Sequence, residues 1–240
     1  MTNVVNDIDI ASVAALLSDT TRVAMLLALS DGRALPAGEL ARHARVSAST
    51  ASEHLSRMAD QRWLSIEKNG RHRYYRLIEP KVARAIEALA VVAPATAVRS
   101  FTQSESVAAV RAARTCYDHI AGQLGVAVTE ALMKSGALDD AGDGYSVTCG
   151  GSEILGRLDL DLEAVHGRKR RFAPRCLDWS ERRFHMAGAL GAALTRRYFD
   201  LGWLARRPAS RAVRLTDAGR EGFHAWLGIE VGDTTWTLGR

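Results

Sequence analysis

The chain is poor in cysteine, with three in 240 residues, too few for a disulfide scaffold. No apolar run reaches membrane-spanning length and no secretory h-region opens the sequence. The expectation is a soluble cytoplasmic protein with no membrane partner. The short motifs of common enzymes are missing too. There is no Gly-x-Ser-x-Gly, no His-Glu-x-x-His and no Cys-x-x-Cys, and Gly142-x-Gly144 lies in an acidic hairpin rather than after a strand. No enzyme activity and no cofactor are expected. What remains is a chain that is 47% hydrophobic, enough for a real core, with a net charge of +5 that favours a polyanionic partner. Its length allows one large or two small domains.

The stretch from Leu35 to Leu77 organises the rest. Pro36 suits the first turn of a helix, where a missing N–H costs nothing. Leu40, Ala41 and Ala44 then share one helical face. Val46 closes a tight turn and Ser47 is a good N-cap for the next helix. In that helix Ala51, Leu55, Met58 and Ala59 form the buried side. Ser49, Thr50, Glu53, His54 and Arg57 are left outside. The pattern predicts a helix-turn-helix. Leu64-Ser-Ile66 and Arg71 to Leu77 then read as the strands of a basic hairpin turning at Asn69-Gly70.

Three groups of residues in this order resemble the winged helix-turn-helix of the ArsR family of bacterial repressors. They are Glu39-Leu40-Ala41, then Ser47-x-Ser49-Thr50-x-Ser52-x-His54-Leu55, then Gly70-Arg71-x-Arg73-Tyr74-Tyr75-x-Leu77. Asp19-x-Thr21-Arg22 ahead of an apolar helix adds to the likeness. The resemblance covers roughly the first 95 residues and implies a homodimer on double-stranded DNA. Ser47, Ser49, Thr50, Ser52, His54 and Arg57 would approach the major groove, and Arg71 and Arg73 the phosphates. In the family the first helix and the helix after the wing build the dimer. Here Ile10, Val13, Ala14 and Leu17 of the first helix are expected in the core, and Val82, Ala85, Ile86 and Leu89 line one side of the later helix. The metal sites usual in the family are absent. Glu39 to Arg45 holds no cysteine, and Val82 to Ala93 offers only Arg84 and Glu87 as polar residues. No metal is therefore assigned.

Beyond a linker at Ala95 to Ser100 the sequence repeats itself. His119-x-Ala121-Gly122-x-Leu124-Gly125 returns as His185-x-Ala187-Gly188-x-Leu190-Gly191, and Val147-Thr148-x-x-Gly151 as Leu215-Thr216-x-x-Gly219. Cys116-x-Asp118 matches Cys176-x-Asp178 if the second copy carries an insertion, Trp179 to Phe184. The expected fold class is mainly α with small β-hairpin wings. A winged helix-turn-helix domain for DNA binding and dimerisation, 1–95, precedes a signal-sensing region, 96–240, of two degenerate winged-helix-like repeats, about 101–168 and 169–240. Cys116, His119, Cys176 and His185 are the candidate sensing residues. Together they would suit a soft metal or metalloid and the thiols alone a redox pair, while the plainer reading is that free cysteines are small buried hydrophobes and repeats share core positions. Trp179, Trp203, Trp226 and Phe184 could line an apolar pocket. Arg206, Arg207, Arg211 and Arg214 make the second C-terminal hairpin basic, whereas Asp139, Asp140 and Asp143 make the first acidic. The expected function is a transcriptional regulator, a homodimeric repressor of a palindromic operator relieved by an unknown small-molecule or redox effector. The alternative is a DNA-bound protein whose C-terminal region recruits a protein partner.

Overall fold

A computed structural model describes residues 8–70, 72–94, 100–208, 210–231 and 236–238. The chain divides into two units, residues 1–83 and 84–240. In the first, α1 (Ile10–Leu17) and α2 (Thr20–Leu29) precede a short β1 (Leu35–Pro36), α3 (Ala37–Ala44), α4 (Ala48–Asp60), β2 (Leu64–Asn69) and β3 (His72–Leu77). The division falls inside α5 (Pro80–Val92). Local chemistry sets these boundaries. The Asp9 carboxylate caps α1 by accepting from Ser12 N, Asp19 caps α2 by accepting from Arg22 N, and the Ser47 hydroxyl caps α4 by accepting from Thr50 N. Met25, Leu26, Leu29, Leu40, Leu55 and Met58 fill the core between α2, α3 and α4.

Four details depart from the sequence reading. Pro36 is the N-cap residue of α3 rather than its first helical residue, because Leu35 and Pro36 pair with Tyr75 and Tyr74 as an edge strand. The three-stranded sheet has the order β1-β3-β2. Asn69 stays in β2, opposite His72, so the hairpin turns one residue later than expected, at Gly70 with φ of 58°. Finally, α1 buries Leu16 and leaves Ile10 66% and Val13 42% exposed. Its apolar stripe is a surface, not core.

The second unit continues with α6 (Phe101–Ala112), β4 (Arg114–Cys116), β5 (His119–Ala121), α7 (Gln123–Lys134), β6 (Leu138–Asp140), β7 (Tyr145–Val147), α8 (Cys149–Gly156) and α9 (Leu162–His166). It ends with β8 (Arg175–Leu177), β9 (Phe184–Met186), α10 (Gly188–Asp200), β10 (Leu204–Arg206), β11 (Val213–Leu215), α11 (Asp217–Leu227), β12 (Ile229–Val231) and β13 (Trp236–Leu238). Hairpin, helix, hairpin, helix therefore occurs twice. Thr148 caps α8 from Gly151 N while donating to Gly136 O, and Thr216 caps α11 from Gly219 N while donating to Gly202 O. Cys149 is thus the first residue of a helix and exposed.

The two copies exchange contacts. Strand β5 packs on α10, and β9 packs on α7. Ile120 N donates to Thr195 Oγ1 at 2.7 Å, and Met186 N donates to Thr129 Oγ1 at 2.9 Å. Val213 N donates to Ala113 O at 3.0 Å, matched by Tyr145 N to Ala173 O at 2.8 Å. Gly125 and Gly191 permit the close fit. A Cβ on Gly125 would lie 3.6 Å from the His185 Cβ of the other copy and one on Gly191 3.2 Å from the His119 Cβ, and each would lie 2.6 Å from a strand carbonyl of its own copy, of Ile120 or of Met186. Reciprocity of this kind is an approximate two-fold axis between the first hairpins of the two copies. It predicts that Thr129→Val, which leaves the buried Met186 N–H without its acceptor, lowers stability by about 1–3 kcal/mol. Urea unfolding checks this, and an unchanged midpoint would contradict it.

Among the described residues no single helix is long and apolar enough to cross a membrane.

Candidate functional site

Two regions gather the residues singled out above. The first is the outer face of α4 with the wing. Ser47, Ser49, Ser52 and Arg57 are exposed and Thr50 is half-buried. The Ser47 hydroxyl lies 2.8 Å from that of Ser49 and 2.9 Å from that of Thr50, so the first turn of α4 carries a hydroxyl cluster. Ser52 and Ser56 of α4 share a cleft of about 370 Å³ with His72 and Arg73 of β3. Arg73 is exposed opposite Lys68, and Arg71 lies outside the described residues.

His54 differs from its expected place on the outer face. It is half-buried, with Nδ1 3.4 Å from Arg22 Nη1 and 4.0 Å from Asp19 Oδ1. Arg22 also donates to Ala15 O and Leu16 O, at 2.7 Å each, which satisfies the last carbonyls of α1. One arginine thus ties the end of α1 and the start of α2 to the middle of α4. This gives the Asp19-x-Thr21-Arg22 motif a positioning role that spacing alone does not reveal.

The second region lies on the approximate two-fold axis. In β4-β5, Cys116 is the cross-strand partner of His119, and in β8-β9, Cys176 is the partner of His185. Cross-strand partners project from the same face of a hairpin. Each hairpin therefore presents one thiol and one imidazole toward the other. The sulfurs are 4.0 Å apart and the two Nε2 atoms 3.1 Å apart. The four atoms that could act as ligands all lie within 4.8 Å of one another. The insertion in the second copy does not disturb this pairing, because it is taken up in the loop between Leu177 and Phe184.

Charged groups stand behind the imidazoles. His119 Nδ1 is 3.5 Å from Asp118 Oδ1, and His185 Nδ1 is 3.3 Å from Asp178 Oδ2. Asp118 is also held by Arg170 Nη1 at 2.6 Å. Burial opposes ionisation of Asp118, but His119 and Arg170 outweigh it and bring its carboxyl down to about 2. Asp178 is wholly buried and accepts from Gly122 N at 2.7 Å, Ser180 Oγ at 2.8 Å and Arg114 Nη2 at 3.0 Å. Burial acts against its charge too, yet His185 and Arg114 hold it far below the usual carboxylate range. The neighbouring Cys176 sulfur and burial push the Cys116 thiol up to about 12. Burial disfavours a charged His185, but Asp178 and Cys116 outweigh that and hold it above its ordinary value.

Sequence reasoning missed the support of this centre. Arg114 is fully buried, 3.6 Å from Glu87 Oε2 of α5, with its guanidinium 4.7 Å above the Trp179 ring. Glu87 is also paired with Arg211. Arg211 of the basic hairpin is therefore largely buried, whereas Arg207 and Arg214 are exposed. Asp140 and Asp143 of the acidic hairpin pair with Arg175 and Arg171. The aromatic residues do not form one pocket. Trp203 stacks on Tyr198 and meets Phe223 edge-on, Trp226 lies tilted against Tyr198, Trp179 lies under Arg114, and Phe184 is 45% exposed.

Comparison with known proteins agrees with the first region. Among solved structures, NolR from Sinorhizobium fredii is 24% identical, covering 36% of this chain and 86% of its own, with a TM-score of 0.33. BigR from Xylella fastidiosa, a transcriptional repressor, is 25% identical over 37% and 89%, with a TM-score of 0.34. The cadmium sensor CMTR from Mycobacterium tuberculosis is 32% identical over 37% and 99%, with a TM-score of 0.30. A relative from Bacillus subtilis (strain 168), the uncharacterized HTH-type transcriptional regulator YdfF, is 42% identical over 223 residues, 93% of this chain and 99% of the relative. Residues 19–64, which hold α2, α3, α4 and the first residue of the wing, match the profile described as bacterial regulatory protein, arsR family. With that signature on the helices that carry the hydroxyl face, and a relative so similar along nearly its whole length, the chain belongs to the ArsR family and is a transcriptional regulator.

Proposed function

We propose that this regulator is a cytoplasmic homodimeric repressor whose two α4 helices enter successive major grooves of a palindromic operator, and whose C-terminal region, residues 96–240, releases the DNA on receiving a signal. The observation that carries the DNA-binding part is the cleft shared by Ser52 of α4 and Arg73 of β3. It sets a helix suited to base edges beside a cation suited to phosphate. The hydroxyls of Ser47, Ser49 and Thr50 add donors at the helix N-terminus, where an anion is favoured. Dimerisation through a second copy accounts for the apolar residues left exposed on helices at both ends of the winged unit, Ile10 and Val13 on α1 and Leu89 and Val92 on α5.

The test is a salt titration of operator binding. Each lost phosphate contact lowers the slope of log affinity against log salt by about 0.9. Arg71→Ala with Arg73→Ala is expected to lower it by about 2, with a loss of affinity for all duplexes. Footprinting should show two half-sites about 10 bp apart, bound by a dimer in light scattering. Equal slopes, or one half-site bound by a monomer, would overturn the proposal.

A further inference from the structure

The centre formed by Cys116, His119, Cys176 and His185 has the donors and spacing of a closed tetrahedral cation site. For Zn²⁺, with bonds of about 2.3 Å to sulfur and about 2.0 Å to nitrogen, a tetrahedron has edges of about 3.8 Å between sulfurs and about 3.3 Å between nitrogens. The corresponding separations here are 4.0 and 3.1 Å. Closing on an ion needs shifts of a few tenths of an ångström. We propose that these four residues bind one thiophilic, d¹⁰ divalent cation of the zinc class, joining the two C-terminal copies on their axis.

Four features favour this ion class. The donors are two sulfurs and two imidazole nitrogens with no oxygen, which disfavours Mg²⁺ and Ca²⁺. Both imidazoles turn Nδ1 toward a carboxylate, Asp118 or Asp178, and Nε2 toward the other histidine. A carboxylate behind a liganding histidine is the usual arrangement around protein zinc. Two thiolates also neutralise a divalent cation, so the complex places no net charge in an interior where Cys116, His119 and His185 are all at most 3% exposed. Lastly, the ligands come from cross-strand pairs on two hairpins that the hydrogen bonds of Thr129 and Thr195 already hold, so little chain entropy is lost on binding.

Four protein ligands leave no open position, so the ion would be structural or regulatory rather than hydrolytic. Binding is independent of the repressor reading above, which supplies only its consequence, and the test accordingly contains no DNA. Reduced, metal-free full-length protein is titrated with Co²⁺. The expected result is one equivalent per chain, with the intense visible bands of tetrahedral cobalt, thiolate-to-cobalt charge transfer in the near ultraviolet, and bleaching by one equivalent of Zn²⁺. Cys149→Ser should keep these bands. Cys176→Ser, at a half-buried position, should lose the charge-transfer intensity and bind Zn²⁺ at least tenfold more weakly, with its far-ultraviolet circular dichroism showing that it is folded. A weak octahedral spectrum, no uptake by the wild type, or bands that persist in a folded Cys116→Ser, Cys176→Ser double variant would overturn the proposal.

Discussion

Arg114→Met is expected to destabilise the C-terminal unit by about 3–5 kcal/mol, because removing one partner of a buried ion pair leaves the other uncompensated. Arg114 is wholly buried, 3.0 Å from Asp178 and 3.6 Å from Glu87, with both carboxylates also almost fully buried. Methionine retains much of the side-chain volume over Trp179 but none of the charge. Asp178 keeps its backbone and Ser180 donors, and Glu87 keeps Arg211, which limits the loss to that range. Arg114→Lys should fall between the two, since an ammonium restores charge without the guanidinium fork. The exposed pair Arg157 and Glu153 serves as the control, and Arg157→Met should cost no more than about 1 kcal/mol. Urea unfolding followed by tryptophan fluorescence reports mainly on this unit, through Trp179, Trp203, Trp226 and Trp236. A loss for Arg114→Met no larger than for Arg157→Met would contradict the role assigned to the network.

Legibility in the sequence followed the range of the interactions. The winged helix-turn-helix was readable because its signals are local: Ser47 caps α4, the apolar spacing of α4 selects its buried face, and Gly70 turns the hairpin. Small errors arose where a tertiary partner intervened. Pro36 is drawn into an edge strand by Tyr74 and Tyr75, and His54 is turned inward by Arg22. Periodicity showed that α1 has an apolar face but not what covers it, since an exposed interface and a core have the same period. The four residues of the cysteine–histidine centre could be named together because an internal repeat puts equivalent positions near a shared axis. Their separations could not be read, because they depend on how two hairpins meet. Arg114, Asp178 and Glu87 were invisible as a unit. They stand on separate elements, and a lone charge in a sequence is far more often solvated than buried.

This network gives the centre a physical route to α5. From His185 it passes to Asp178 at 3.3 Å, to Arg114 at 3.0 Å and to Glu87 at 3.6 Å, all within the C-terminal unit. Glu87 stands on α5, the helix that the repressor proposal places at the dimer interface through Leu89 and Val92. On the cation proposal above, a shift of His185 onto the ion would be passed to Asp178 and so to the pairing of Glu87. A ligand that favours one of two dimer geometries changes operator affinity by its differential binding, typically 5- to 150-fold. The most direct measurement is operator affinity by fluorescence anisotropy at fixed salt, with and without one equivalent of Zn²⁺. Zn²⁺ is expected to weaken wild-type binding about 5- to 150-fold and to leave the binding of Cys176→Ser unchanged. Superimposable wild-type curves with and without Zn²⁺, on protein shown by cobalt exchange to be loaded, would contradict it.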